Sequence, residues 1–407
     1  MLTRRGRFAL ALGGGTYLGA WAFGAHVLYA PGVGVLLAVG AALVWTNALA
    51  RSLTLHRRLD RDRPLEGDDV VVRVELEADG GLVPATAVLN EPVGTLGDQE
   101  VVVAREGRFL RAVYRLRRVP RGRYRFTGAQ AIVEDPFGLA RRVQPLADSA
   151  PLLVYPRLAR LNVLFAERGL RAHGGGRILL RRPAGFELHS VREYQSGESL
   201  RRVHWPSTAR RRQLMVKELE DAPRDEIVVV LDAESGHGSG PPANSSFDAQ
   251  VRAAGSLLWA HARRGRNARL VLTSGMADDA VSVRNYERDW PRALEVLASA
   301  EQNGRRPVEA LLGDRAGAAT HARDLAVVTA TLRPALVESL IAGAATRQQV
   351  SLVYVDAPSF AGRRRGALGA EAAVLRLQSA GIAVAVLRRG DDLERVLEGA
   401  ESGVAHG

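Results

Sequence analysis

The sequence predicts three structural parts: two N-terminal transmembrane helices, a small antiparallel β-sandwich, and a C-terminal α/β domain on a doubly wound, mostly parallel sheet. Three observations carry this. Two apolar runs open the chain. Period-two alternation follows from about Asp69. From Pro223 onward, continuous apolar runs alternate with helical stretches. At 407 residues, two or three domains are expected.

The first run, Phe8 to Tyr29, is interrupted only by His26, and Ala30-Pro31-Gly32 reads as a turn before the second run, Val33 to Ala50. Each run is close to the ~20 residues a spanning helix needs. Arg4, Arg5 and Arg7 precede the pair and Arg51, Arg57, Arg58 and Arg61 follow it, whereas the connector has no lysine or arginine. The positive-inside rule then predicts a hairpin with both ends in the cytoplasm, hence a multi-pass plasma-membrane protein with its soluble part in the cytoplasm. A cleaved signal peptide is the alternative, but the run is long and a second apolar segment follows it.

In the stretch after Asp69, Val70, Val72, Val74 and Leu76 share one strand face. In GRFLRAVYRLRR, Leu110, Ala112, Tyr114 and Leu116 share one face and Arg111, Arg115 and Arg117 the other, a solvated one. Beyond Pro223, EIVVVLD suits a strand buried on both faces. Helices over about 247–264, 290–302, 334–347 and 370–380 separate it from ARLVLTS, DLAVVTA, VSLVYVD and IAVAVLR. The predicted boundaries are 1–60 (helices about 8–29 and 33–50), 61–150, a segment over 151–222, and 223–407. Ligands of such α/β sheets bind at the carboxyl ends of the strands. Here those ends are Asp232 to Gly236, Thr273 to Gly275, Thr329 to Thr331, and Asp356.

A net charge of +12 invites an anionic partner. Yet Lys217 is the single lysine, and the arginines are spread along the chain without one dense block. Nucleic acid is therefore not the expected partner, although Arg210, Arg211 and Arg212 keep that alternative open. With no cysteine, disulfides, thiolate metal sites and a cysteine nucleophile are excluded.

The densest chemistry lies in GFELHSVREYQSGESLRRVHWPSTARRRQLMVKELE, residues 185–220. Gly185, Glu187, Arg192, Glu193, Tyr194, Gly197, Arg201, Arg202, Trp205, Ala209, Arg210 and Arg211 resemble the signature of the family known as domain of unknown function 58. Asp135-Pro136-Phe137-Gly138 also resembles that family's pattern. Leu188, Glu198 and His204 depart from it. The resemblance implies two membrane helices, a β-rich region and a von Willebrand factor A-like domain. It further implies a MoxR-type AAA+ ATPase and transglutaminase-like membrane proteins as genomic neighbours and partners, and no established reaction.

A-type domains often hold Mg²⁺ through Asp-x-Ser-x-Ser. At the corresponding positions this chain has Asp232, Glu234 and Gly236, with Ser235 out of register, so the site is degenerate and no metal or other cofactor is expected. GHGSG at 236–240 and the glycines at 174–176 lack the strand-to-helix context of a phosphate loop and read as surface loops. Three readings of the signature compete. In the first its charges form an interdomain network with Tyr194 and Trp205 packed on the sheet, and in the second its arginine and aromatic residues dock a partner. In the third reading Glu193, His204 and Arg210 perform acid–base chemistry. No nucleophile elbow, Walker loop or His-Glu-x-x-His motif accompanies them, so an enzyme is not expected. The favoured expectation is a membrane-anchored scaffold linked to a MoxR-type ATPase, in a process such as cell-envelope maintenance. A metal-dependent ligand-binding domain is the alternative.

Overall fold

The computed structural model describes residues 1–49, 53–61, 63–78, 83–166, 187–193, 205–220, 226–274, 280–314, 319, 322–346, 349–362 and 368–399. The chain divides into two compact units, Met1–Tyr155 and Pro156–Gly407.

The first unit opens with helix α1, Arg4–Phe23, and helix α2, Tyr29–Leu49. Thr3 caps α1 by accepting the Gly6 amide, and Gly24 ends it in the left-handed conformation at φ 64°. The turn therefore falls at Gly24 and Ala25, ahead of the Ala30-Pro31-Gly32 expected from sequence. Pro31 sits in the first turn of α2, where its missing N–H costs no helical bond. The helices pack closely where Gly13 meets Val35 and Leu36 and Gly32 meets the backbone of Tyr17.

Among the described residues, only one segment, His26–Ala48, is long and apolar enough to cross a membrane, so the expected pair of spanning helices and the multi-pass topology are corrected. The reason lies in the first turn of α1. Arg4, Arg5 and Arg7 occupy it, and the apolar remainder from Phe8 to Phe23 rises about 24 Å, short of a ~30 Å hydrocarbon core.

Nine strands follow: β1 Leu53–Leu59, β2 Val70–Ala78, β3 Thr86–Pro92, β4 Asp98–Glu106, β5 Phe109–Leu116, β6 Gly122–Phe126, β7 Gln130–Glu134, β8 Arg141–Pro145 and β9 Ala150–Val154. Seven form one antiparallel sheet in the order β1-β2-β5-β4-β3-β7-β8, and β6 pairs with β9 in a two-stranded ribbon. The expected small sandwich is thus one large sheet with a narrow companion. Both contribute to a single core that includes Val72, Leu76, Leu89, Leu110, Phe126 and Leu152. On the outer face Arg111 pairs with Glu75 (2.8 Å) and Glu106 (3.3 Å), so cross-strand charges alternate in sign.

In the second unit β10, Glu187–Glu193, pairs antiparallel with β11, Met215–Glu220, and the short helix α3, Trp205–Arg211, lies between them in sequence. The remaining elements are β12 Ile227–Leu231, α4 Ser246–Arg263, β13 Ala268–Leu272, β14 Ala280–Val283, α5 Tyr286–Ser299, α6 Val308–Leu312, β15 Asp324–Thr329, α7 Pro334–Ala345, β16 Gln349–Val355, α8 Ala357–Phe360, α9 Leu368–Ser379, β17 Ala383–Leu387 and α10 Leu393–Glu398.

The six-stranded sheet runs β14-β13-β12-β15-β16-β17. Five strands are parallel, but β14 pairs antiparallel with β13, so the sheet is mixed and the expected doubly wound A-type domain is corrected. The β14 segment, AVSV, is short and lies at the edge, where an antiparallel return needs no crossover helix. Every residue of β12 is buried. Val229 and Leu231 face one apolar cluster, and Val228 and Val230 face the other.

His261, on α4, is buried beneath this sheet cluster. Its burial, with the nearby charges of Arg266 and Arg264, lowers its pKa to about 3 from the ordinary 6.5. The folded chain therefore keeps His261 neutral while the unfolded chain takes up a proton near pH 6.5. Stability is full above that pH and falls as pH drops toward 3, by about 1.4 kcal/mol per unit at most from this group. In thermal melts between about pH 7 and about pH 4.5, His261→Gln should flatten the acid-side loss of stability. Equal slopes for the two proteins would remove His261 as its source.

Candidate functional site

The sheet's carboxyl edge gathers the predicted strand-end residues. Asp232 follows β12 and is 3% exposed. Thr329, at the end of β15, donates its hydroxyl to Asp232 Oδ2 at 2.6 Å, and Thr331 reaches the same oxygen at 3.5 Å. Thr273, just after β13, lies 3.4 Å from Oδ1, which also accepts the Glu234 amide at 3.1 Å. Thr273 Oγ1 accepts the Ala233 amide at 2.7 Å. One carboxylate thus ties together the ends of three neighbouring strands. Gly304 closes the edge, with its amide on Ala233 O (2.8 Å) and its carbonyl accepting the Ser235 amide (2.9 Å). A side chain there would collide with the carbonyl oxygens of Thr273 and Ala233.

Glu234 accepts a two-pronged ion pair from Arg333. The same guanidinium lies 3.4 Å from Glu309, and His237 lies 3.8 Å from Glu234. The hydrogen bond to Glu234, aided by the charges of Glu309 and Asp232, raises the Arg333 pKa above its usual value. This set does not fit the A-type magnesium site. The Asp232 oxygens are committed to hydroxyls and an amide, Glu234 already holds a guanidinium, and Gly236 offers no side-chain oxygen. The positive charge at this edge is covalent: it belongs to Arg333. Asp356, at the end of β16, is 4% exposed and faces Arg388 Nε at 3.6 Å. The GHGSG segment is pinned, since Ser239 O accepts the Ser246 amide at 2.8 Å and Gly240 packs against Phe360.

Among the described residues, the signature falls on β10, α3 and β11. Glu187, Arg192 and Glu193 lie on β10, opposite Glu220, Val216 and Met215. Tyr194, Gly197, Arg201, Arg202 and His204 fall outside the described residues, as do Gly174 to Gly176. Helix α3 presents Trp205 at 66% exposure, with Arg210 and Arg211 also exposed and Leu214 at 42%. The packing of Trp205 on the sheet, expected from one reading, is therefore corrected. The turn that follows is fixed, because Thr208 Oγ1 accepts the Met215 amide at 3.0 Å and Met215 is buried. Arg212 takes the left-handed conformation at φ 52°, which ends α3 and leaves its two arginines at the terminus.

Residues 190–359 match the family model described as Protein of unknown function DUF58. The matched segment contains most of the signature hairpin and the Asp232 edge. Over 220 residues the chain is 26% identical to the Uncharacterized protein YeaD of Bacillus subtilis (strain 168), covering 54% of this chain and 53% of that protein. The chain spans about half the length of the curated relative it matches. Among solved structures, the CARDB domain of a Pyrococcus furiosus protein in complex with di-metal ions is 14% identical, covering 26% of this chain and 88% of that one. Cwp6 from Clostridium difficile is 8% identical, covering 83% and 37%. Both have TM-scores of 0.18 and carry no argument.

Sequence reasoning missed a buried charged cluster in the first unit. Arg57, counted there as a flank of the membrane segment, has a side chain only 2% exposed and pairs with fully buried Glu91. Its NH1 lies 2.8 Å from Asp148, and its guanidinium stacks 4.2 Å over the Phe126 ring. Tyr114 donates to the other Glu91 oxygen, and burial together with that carboxylate raises the phenol's pKa. A signal was available. On β1, Arg57 shares the inward face with Leu53, Leu55 and Leu59, and on β3, Glu91 follows Ala87 and Leu89. Opposite charges on two inward registers predict a buried pair.

Arg57→Ala should cost about 3–5 kcal/mol in chemical unfolding, because it strands Glu91 in the core. Arg57→Met with Glu91→Leu should recover most of that loss. If the double substitution is as unstable as the single one, the pair is not the source.

Proposed function

We propose that this chain is a membrane-associated scaffold of the DUF58 type that docks a protein partner through helix α3. The observation that carries this is Trp205, which stands 66% exposed beside Arg210 and Arg211 on a helix whose own anchoring uses Thr208 and Met215. Tryptophan and arginine dominate binding energy when buried at interfaces, and an exposed tryptophan on a fixed turn is ready for such burial. The partner suggested by the family resemblance is a MoxR-type AAA+ ATPase, with transglutaminase-like membrane proteins in the same assembly and cell-envelope maintenance as the process. The apolar helix His26–Ala48 associates the chain with the plasma membrane. The arginines that follow α2 in sequence put its carboxyl end on the cytoplasmic side. The Asp232 edge supports a binding role over catalysis, because Glu234 and Glu309 are held by Arg333 in a fixed pattern of ion pairs.

Crosslinking in native membranes should capture the ATPase with the natural chain and lose it in Trp205→Ala/Arg210→Glu/Arg211→Glu, whose circular dichroism should be unchanged. Equal capture by a folded variant rejects the docking role of α3. Salt-sensitive DNA retention lost in the same variant would replace it with the nucleic-acid reading.

A further inference from the structure

The turn between β7 and β8 reverses the ordinary rule of burial. Asp135 is 5% exposed and Phe137, two residues later, is 77% exposed. The arrangement is enforced. Asp135 accepts the amides of Phe137 (2.9 Å) and Ala140 (2.5 Å). Its carbonyl accepts the Gly138 amide at 3.0 Å, and Gly138 adopts φ 66°. The chain's first residues then clamp the turn from outside. Met1 and Arg141 exchange two bonds, of 2.8 Å through the terminal amine and 2.9 Å through the Arg141 amide. Thr3 donates its amide to Leu139 O at 3.0 Å and its hydroxyl to Gly138 O at 2.5 Å. Gly6 lies so close to Leu139 O that any Cβ would collide with it. A phenylalanine held out of the core by this many bonds is presented.

Its surroundings indicate to what. Arg142 donates to Asn47, near the carboxyl end of α2, so the β8 edge sits beside the end of the apolar helix. Val44 and Trp45 on that helix are 70% and 49% exposed, and Phe8 on α1 is 70% exposed. Arg4, Arg5, Arg7 and Arg141 are exposed as well, and among the described residues none forms an ion pair. Glu134, opposite Arg141 across the β7–β8 register, is also unpaired with it. Apolar side chains at the base of a membrane helix, ringed by unpaired arginines, match a bilayer interface whose headgroups are anionic.

We infer that the Asp135–Ala140 turn is an interfacial membrane anchor, with Phe137 entering the headgroup–acyl boundary and the surrounding arginines contacting anionic phospholipid. This rests on the membrane association of α2 and adds to it a second, rigid point of contact that fixes how the β unit stands on the membrane. A single α2 tether would leave the unit free to tilt. The turn joins β7 and β8, at the far end of the strand order from β1, and supplies the constraint.

The chain has no cysteine, so single labels are clean. Spin labels are placed by Phe137→Cys, by Val102→Cys and Val113→Cys on exposed sites of the same sheet, and by Leu37→Cys on α2. The full chain is reconstituted into vesicles of phosphatidylcholine with or without phosphatidylglycerol. Collision with oxygen, which partitions into lipid, is compared with a water-soluble nickel chelate. The label at 137 should favour oxygen several-fold over those at 102 and 113, and more so with phosphatidylglycerol. Arg5→Gln/Arg141→Gln should remove that lipid dependence. An aqueous label at 137 with a lipid-exposed label at 37 overturns the anchor alone. Aqueous labels at both positions overturn the membrane association itself. A label at 137 shielded from both reagents indicates a protein partner and also overturns the anchor.

Discussion

A carboxylate at the end of a fully buried strand needs several hydrogen-bond partners, and Asp232 finds them. The donors are hydroxyls from Thr273, Thr329 and Thr331 and one backbone amide. Because Thr273 follows β13 while Thr329 and Thr331 sit at the end of β15, satisfying one carboxylate fixes the relative heights of β12, β13 and β15. Gly304 is bound to the same edge, since only a hydrogen atom fits between its Cα and the two carbonyls it approaches. Glu234 is then directed toward Arg333, and the outer half of the edge becomes an ion-pair network.

The first unit solves a comparable problem in a different medium. Arg57, Glu91 and Asp148 lie in or beside an otherwise hydrophobic core rich in valine and leucine. The cluster links β1, β3 and the β8–β9 connection, and Tyr114 adds β5. Burial of such a group rarely adds net stability over an apolar equivalent, yet it tolerates only one register. β1 is the strand directly after α2, so this cluster sets how the sheet begins where the apolar helix ends.

The signature hairpin and the β7–β8 turn share one logic. In each, buried polar bonds are used to hold an aromatic side chain in the open: Thr208 and Met215 beneath Trp205, and Asp135 and the N-terminal residues beneath Phe137. Single exposed aromatics are ordinary, but aromatics on turns fixed by several bonds do not collapse back onto the surface.

Local pattern alone determined a good deal here. Period-two alternation at Val70–Leu76 and Leu110–Leu116 marks β2 and β5, and the continuous run of β12 marks a strand covered on both faces, because side-chain direction repeats every two residues whatever the partner strand. The strand ends carrying Asp232, Thr273 and Thr329 were legible for the same reason. What sequence could not decide was which elements meet. Whether α1 spans depended on its first turn being arginine, and the hairpin turn on Gly24 ending α1 before Pro31. The mixed sheet depended on a short edge strand whose direction no local signal encodes. Arg333 meets Glu234 and Glu309 from distant parts of the chain, and Trp205 is exposed on a helix tied to its own hairpin. Periodicity is a property of one segment, whereas partner choice is settled by long-range packing and charge satisfaction, which exist only in the folded chain.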